Sequence, residues 1–548
     1  MNSSEIIVKT LEGAGVEYIF GLPGEENLSL LDEIRKSSIK FITTRDEQTA
    51  TFMAATIGRL TGKLGVALST LGPGATNLVT GVAYAQLGGM PLLVITGQKP
   101  LKKSKQGKFQ IIDVVGMMKP ITKYAYSIES ADKAPTAIIE AIRHAELERP
   151  GAVHIELAED VALEETDNKI FNYSKIRRPD PDDKSLVNLV DAIDNAKKPL
   201  LIIGAGANRK LITKQLNNFI SKTNIPFVST QMGKGVADES SDLFIGTTAL
   251  SDGDLVHKAI ELSDLLIMVG HDTIEKPPVI NTHSTKVIHL NFYPAEIDEV
   301  YSPDLEIIGD VSYALWHASE KVKSINRDYS DIFRIKKLID NQLEKSKEDS
   351  SFPIAPSRFV YELRDMMPKD SILSLDNGMY KLWISRNYKV YTPNSLLLDN
   401  ALATMGAGFP AGMAAKLINP DKKVVVVAGD GGFMMNLADL ETAKRLNLDL
   451  VIVVLNDQGY GMIKWKQDGM NLEDYALDFT NPDFVKLAES FGAIGHRIKS
   501  IDNFREVFME AINSKGVHII DLPIDYSYNK LLNKSELEKT ISELMKGE

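Results

Sequence analysis

Short, continuous apolar runs recur along the chain, each followed by a longer stretch of helical spacing. IKFITT (39–44), LGVALST (64–70), PLLVIT (91–96) and AVHIEL (152–157) come first. PLLIIG (199–204), DLLIMVG (264–270) and KVIHLNF (286–292) follow, then KVVVVAG (423–429) and DLVIVVLN (449–456). Runs of this length without polar alternation suit strands buried on both faces, hence parallel sheets covered by helices. Two polar, proline-containing stretches, 166–185 and 325–358, interrupt the alternation and read as connectors, with helical spacing in the middle of the second. The pattern predicts three α/β domains, at 1–166, 186–324 and 355–530, each built on a doubly wound parallel sheet.

Composition changes this picture little. A chain of 548 residues is too long for one core, and 44% hydrophobic with 25% charged residues is globular rather than disordered. The net charge of −12 argues against a nucleic-acid partner. The absence of cysteine excludes disulfides, thiolate catalysis and cysteine-held metals. No basic segment followed by an apolar run opens the chain, and no stretch is apolar enough to span a bilayer, so a cytoplasmic protein without a membrane partner is expected.

The strongest chemical signal runs from Gly429 to Met462, as strand, glycine turn, helix, strand and second glycine-containing loop. A βαβ unit puts both strand ends on one sheet edge, so Asp430 and Asp457, 27 residues apart, can converge. Paired carboxylates there suit a hard cation such as Mg²⁺. Gly431 and Gly432 allow close backbone approach at a helix N-terminus, which attracts phosphate. Two solvated loop aspartates would be the bland alternative; the full spacing favours a diphosphate clamp.

Gly429-Asp430-Gly431 followed by Asn456-Asp457 resembles the metal–diphosphate motif of thiamine-diphosphate enzymes, with Asp457 where many members have asparagine. The resemblance assigns a metal to Asp430, Asp457 and the backbone oxygen of Gly459. It extends to the first domain. Arg45-Asp46-Glu47-Gln48 resembles the Arg-His-Glu-Gln motif, whose glutamate contacts N1′ of the aminopyrimidine; Asp46 replaces the usual histidine. Without the family, Glu47 would read as a helix-terminus carboxylate. With it, Glu47 favours the imino tautomer that takes the thiazolium C2 proton and leaves an ylide. Gly72-Pro73-Gly74-Ala75-Thr76-Asn77 resembles a segment whose proline and asparagine flank the pyrimidine, which carries those roles to Pro73 and Asn77. Phe109-Gln110 resembles a pair near the reacting centre, so Gln110 is a candidate catalytic residue. Asp376-Asn377-Gly378 resembles the first diphosphate loop, Met405 the apolar prop of the bent cofactor, and Met462 an active-site wall.

The resemblance covers about residues 1–530 and implies pyrimidine-binding, central Rossmann-like and diphosphate-binding domains in that order. It also implies a cofactor shared between subunits, hence a homodimer at minimum, with a tetramer compatible. Within the family, acetolactate and acetohydroxyacid synthases are most similar; they join two pyruvates through a hydroxyethyl carbanion–enamine. None of the nine histidines adjoins another, unlike the His-His pair of simple pyruvate decarboxylases. The segment 270–275 looks more like FAD-free catabolic enzymes, which weighs against FAD. Lys466, where biosynthetic members carry tryptophan, leaves the acceptor open between pyruvate and other 2-oxo acids. A regulatory small subunit and the choice between branched-chain and butanediol metabolism also stay open. Gly204-Ala205-Gly206 begins like a dinucleotide fingerprint but lacks its third glycine and acidic partner, so NAD chemistry is not expected. The rival readings are another 2-oxo acid decarboxylase or carboligase and a catalytically silent homologue.

Overall fold

The computed structural model describes residues 1–548 except 103–106, 210–211, 251–252, 276–284, 298, 324 and 547–548. Residue 324, where the central domain was expected to end, thus lies outside the described residues. The apolar runs form strands of three six-stranded sheets. The first holds β1 (Tyr18–Gly21), β2 (Lys40–Thr43), β3 (Gly65–Ser69), β4 (Leu92–Gln98), β5 (Tyr124–Ile128) and β6 (Ala152–Ala158). The second holds β7 (Pro199–Ile203), β8 (Phe227–Thr230), β9 (Phe244–Thr248), β10 (Leu265–Val269), β11 (Lys286–Asn291) and β12 (Leu305–Ile308). The third holds β13 (Ile372–Leu375), β14 (Leu396–Leu397), β15 (Val424–Gly429), β16 (Leu450–Asn456), β17 (Ile494–Arg497) and β18 (Val517–Pro523).

Every pairing between these strands is parallel. The α/β class with three doubly wound parallel sheets is therefore the fold. The first and third sheets share one topology, β2-β1-β3-β4-β6-β5 and β14-β13-β15-β16-β18-β17. The second differs, running β12-β11-β10-β7-β8-β9, the Rossmann order. In each sheet the chain reverses direction at one switch point: β1/β3, β7/β10 and β13/β15. In open α/β sheets ligands bind outside the carboxyl ends of the strands at such a switch point.

The chain divides into two compact units. One comprises Met1–Arg177, Ala401–Pro420 and Asn436–Leu448 and contains the first sheet; the other comprises Arg178–Asn400, Asp421–Met435 and Asp449–Glu548 and contains the remaining two. In the first unit the central strands β3, β4 and β6 are buried at every position, the polar His154 and Glu156 of β6 included. The helix Glu47–Thr61, buried from Thr49 to Thr56, packs on β3 and on the helix Gly408–Ile418. In the second unit the helix Ser330–Ser346, inside the second expected connector, buries Ile332 and Ile335 in a core cluster of the second sheet. That stretch is packed structure rather than a plain linker, because its apolar residues recur at helical spacing.

Candidate active site

In the first unit, β2 runs into the helix that carries Glu47. Asp46 is its N-cap, with Oδ1 accepting the Gln48 backbone N–H at 2.7 Å. Asp439 and Asn436 grip the same helix start: Asp439 Oδ1 accepts the Arg45 N–H at 2.8 Å, and Asn436 Oδ1 accepts the Thr49 hydroxyl at 3.1 Å. Glu47 is thereby set at the carboxyl edge of the sheet, 7% exposed. Its Oε2 accepts the Asn77 side-chain amide at 3.0 Å, and its Oε1 lies 3.1 Å from where a Cβ on Gly74 would stand. The Gly72–Asn77 helix, with Pro73 exposed in its first turn, thus lies directly against Glu47.

Gln110 reaches this region by its backbone. Gly72 has φ +46°, and a Cβ on it would stand 2.7 Å from the Gln110 carbonyl, so the two loops touch only with glycine there. The Gln110 side chain itself is exposed, as is Phe109. Met405, half-buried, belongs to this unit, beside Gly406, whose carbonyl accepts the Asn436 amide at 2.7 Å.

One feature of this edge was not read from the sequence. Lys99, just past β4, makes a buried ion pair with Glu26, Nζ to Oε1 2.7 Å, and Thr70 donates to Glu26 Oε2 at 2.5 Å. Burial alone would raise Glu26, but Lys99 and Thr70 outweigh it and hold the carboxyl below its usual range. The pairing depends on β1, β3 and β4 being neighbours, which residue spacing alone does not reveal.

The second unit carries the acidic cluster. β15 and β16 are adjacent, and Asp430 and Asp457 follow their carboxyl ends. Asp430 Oδ1 accepts the Gly431 N–H at 2.8 Å; its Oδ2 accepts the Gln458 N–H at 2.8 Å and the Asn481 amide at 2.7 Å. The second loop is therefore fastened to the first aspartate. Burial, then the charge of Asp430, pushes the Asp457 carboxyl up to about 7. Among the described residues neither aspartate makes an ion pair, and no cluster of three or more His, Cys, Asp or Glu side chains is placed to hold a metal.

Gly459 forms an antiparallel bridge with Asp478, and Met462 is half-buried in the helix Gly461–Gly469, which buries no residue. Asp376, 1% exposed, follows β13; a Cβ on Gly432 would lie 2.3 Å from its Oδ2, so these loops pack with only hydrogen between them. Gly378 caps the helix Met379–Asn387 without any side-chain hydrogen bond, and its carbonyl accepts the Lys381 N–H at 3.1 Å. Gly429 to Gly432, Asp457 and Gly378 thus meet at the β13/β15 switch point.

These residues fit the groups expected of them. Two carboxylates that repel one another in a half-buried site are relieved by a divalent cation, and their all-oxygen character suits Mg²⁺. The glycine turns, which let the backbone come close, suit a diphosphate.

Comparison with known proteins gives the same sense along the whole chain. Family models described as thiamine pyrophosphate enzyme match its N-terminal TPP binding domain at residues 1–117, its central domain at 186–317 and its C-terminal TPP binding domain at 376–522. Acetolactate synthase of Bacillus subtilis (strain 168) is 34% identical, with 99% of this chain and 96% of the relative aligned. A probable acetolactate synthase large subunit of Methanococcus aeolicus is 33% identical over 96% of this chain and 92% of the relative. A catabolic acetolactate synthase of Raoultella terrigena is 30% identical over 97% of this chain and 96% of the relative.

Proposed function

Since the chain belongs to the thiamine pyrophosphate enzyme family, we propose that it is an acetolactate synthase, joining two molecules of pyruvate to 2-acetolactate with loss of CO₂. The observation that carries this reading is near-full-length similarity to proteins of that name, in a chain that keeps a buried Glu47 and the paired Asp430 and Asp457. When bound, thiamine diphosphate supplies a nucleophilic carbon and an electron sink.

The protein's part follows from its own residues. Glu47, fixed by Asn77 and shielded from water, would exchange a proton with the pyrimidine ring, which Pro73 and Asn77 would help to hold. Asp430, Asp457 and the Gly459 carbonyl would hold Mg²⁺, and Gly378 and Gly429 to Gly432 would receive the diphosphate. Met405 and Met462 supply apolar walls, and Gln110 is a polar side chain near the reacting carbons. The domains correspond to 1–166, 186–324 and 355–530, and the cofactor lies between the first domain of one subunit and the last domain of another. Homodimers are the minimum unit, working in the cytoplasm. A small regulatory subunit is the partner to which the name of the Methanococcus relative points.

FAD is not part of this reading. At the β7/β10 switch point the carboxylate of Glu275 accepts the Ala205 N–H at 3.2 Å, the Met232 N–H at 2.8 Å and the Thr230 hydroxyl at 2.7 Å. An internal carboxyl, pushed up to about 7 by burial, thus takes the Ala205 N–H of the Gly204–Gly206 turn, a donor that a dinucleotide phosphate would need. The test is a pyruvate assay with Mg²⁺ and thiamine diphosphate, without FAD, resolving acetolactate from acetaldehyde. Acetolactate that disappears when either metal or cofactor is withheld is expected; acetaldehyde as the main product would replace the reading with a simple decarboxylase.

A further inference from the structure

The first unit holds a buried ion pair that the proposed chemistry does not use. The short turn Glu25–Asn27 follows β1, and its Asn27 side-chain amide donates to the Ser69 carbonyl at the end of β3 at 2.7 Å. Glu26, 4% exposed, meets Lys99, 3% exposed, just past β4. Its other oxygen, Oε2, accepts the Thr70 hydroxyl just past β3. The segments leaving β1, β3 and β4 are thus fastened to one another beside the β1/β3 switch point. Burying two charges gains little stability over apolar packing, so the pair calls for another reason.

Thr70 links this pair to Glu47. Its side chain fills a slot left by Gly24, where a Cβ would stand 2.4 Å from the Thr70 Cβ. Against the effect of burial, Lys99 and Thr70 keep the Glu26 carboxyl below its usual range, so at neutral pH it accepts and the Thr70 hydroxyl donates. Threonine is branched at Cβ, so fixing the hydroxyl also fixes the methyl. That methyl faces Gly74, 2.8 Å from where a Cβ would stand, and the same point is 3.1 Å from Glu47 Oε1. Gly74 is therefore held between the Thr70 methyl and the Glu47 carboxylate. Asn77, in the same short helix, donates to the other Glu47 oxygen at 3.0 Å.

We propose that Glu26, held by Lys99, is a positioning residue for Glu47: through the Thr70 hydroxyl it sets the Gly72–Asn77 helix where Gly74 and Asn77 bracket the Glu47 carboxylate. Glu26, Lys99 and Thr70 act through Glu47 and take no proton themselves. This inference rests on the cofactor reading above and deepens it, because a small misplacement of a proton-transfer group is costly in rate. Thr70→Val keeps the methyl and the bulk of the side chain but removes the hydroxyl that fixes its rotamer.

The experiment loads the wild-type chain, Thr70→Val, Glu26→Gln and the double variant with thiamine diphosphate and Mg²⁺ in deuterated water, without pyruvate. Loss of the thiazolium C2 proton is followed by NMR after acid quenching, and cofactor affinity is measured by calorimetric titration. Exchange in Thr70→Val is expected to slow about tenfold or more while affinity for the cofactor is kept. The double variant should exchange no more slowly than the slower single variant, because both substitutions cut one chain of contacts. Should Glu26→Gln fail to fold, Glu26→Asp, which keeps the charge but draws it back by one methylene, takes its place. Unchanged exchange in Thr70→Val would overturn the inference. So would losses that add in the double variant, which put Glu26 on a separate route, or a fall in affinity that matches the fall in exchange, which marks a packing role. A wild-type chain that fails to bind thiamine diphosphate, or binds it without hastening the exchange, would instead overturn the cofactor reading, and the inference with it.

Discussion

Asp46 stands where the resembling enzymes carry histidine, and its structural task is plain: it caps the helix that presents Glu47. Asp46→Ala should cost about 1 kcal/mol of stability and lower the melting temperature, with Asp46→Ser recovering most of it. Glu47→Gln preserves size and packing but cannot take the same part in proton transfer. Its kcat should fall by roughly 10²- to 10⁴-fold while cofactor binding, followed by titration, stays substantial. Near-normal turnover would remove Glu47 from the mechanism. Glu26 gives a pH signature. The fold holds its carboxyl below the ordinary value of 4.5, so the folded chain binds fewer protons than the unfolded one as acid is added. The resulting stabilisation is complete above that value and is lost as pH falls below it. Glu26→Gln should therefore flatten the acid limb of the stability–pH curve; an unaltered limb would mean that the Lys99 pair contributes nothing.

Elements were legible where burial made them monotonous. The nine apolar runs of the sequence correspond to strands because central parallel strands need apolar residues on both faces. Of the edge strands only β2 lies in one of those runs. Ile494–Arg497 is half-exposed along its length, and Tyr124–Ile128 has a single fully buried position, so neither forms a continuous apolar run. Leu396–Leu397 is too short to give any pattern. The Asp430–Asp457 pair was readable because one βαβ unit places both ends on one edge. Glu26 and Lys99 were not, since they meet through strands distant in sequence. Element packing also has a sharp test at Gly65 of β3. A Cβ there would sit 1.9 Å from the Ala54 carbonyl of the Glu47 helix, so strand and helix touch backbone to backbone. Gly65→Ala should cost at least about 1–3 kcal/mol and shift the helix, seen as a lower melting temperature together with reduced kcat.

At the scale of the whole molecule, the first and third sheets repeat one strand order while the middle sheet has another, so the chain holds two like-ordered switch points. The proposed assembly sets Glu47 of one subunit opposite Asp430 of another. Co-expressing Glu47→Gln with Asp430→Asn chains should then restore activity, because one site of each mixed dimer receives neither substitution. Persistent inactivity of confirmed mixed dimers would put both residues in a site made by a single chain. The reaction itself is tested most directly by the ratio of CO₂ released to pyruvate consumed, with thiamine diphosphate and Mg²⁺ present and no added FAD. An acetolactate synthase gives one CO₂ for every two pyruvates, and that ratio is the predicted result. One CO₂ for each pyruvate would contradict the account, because the second pyruvate would not be serving as acceptor.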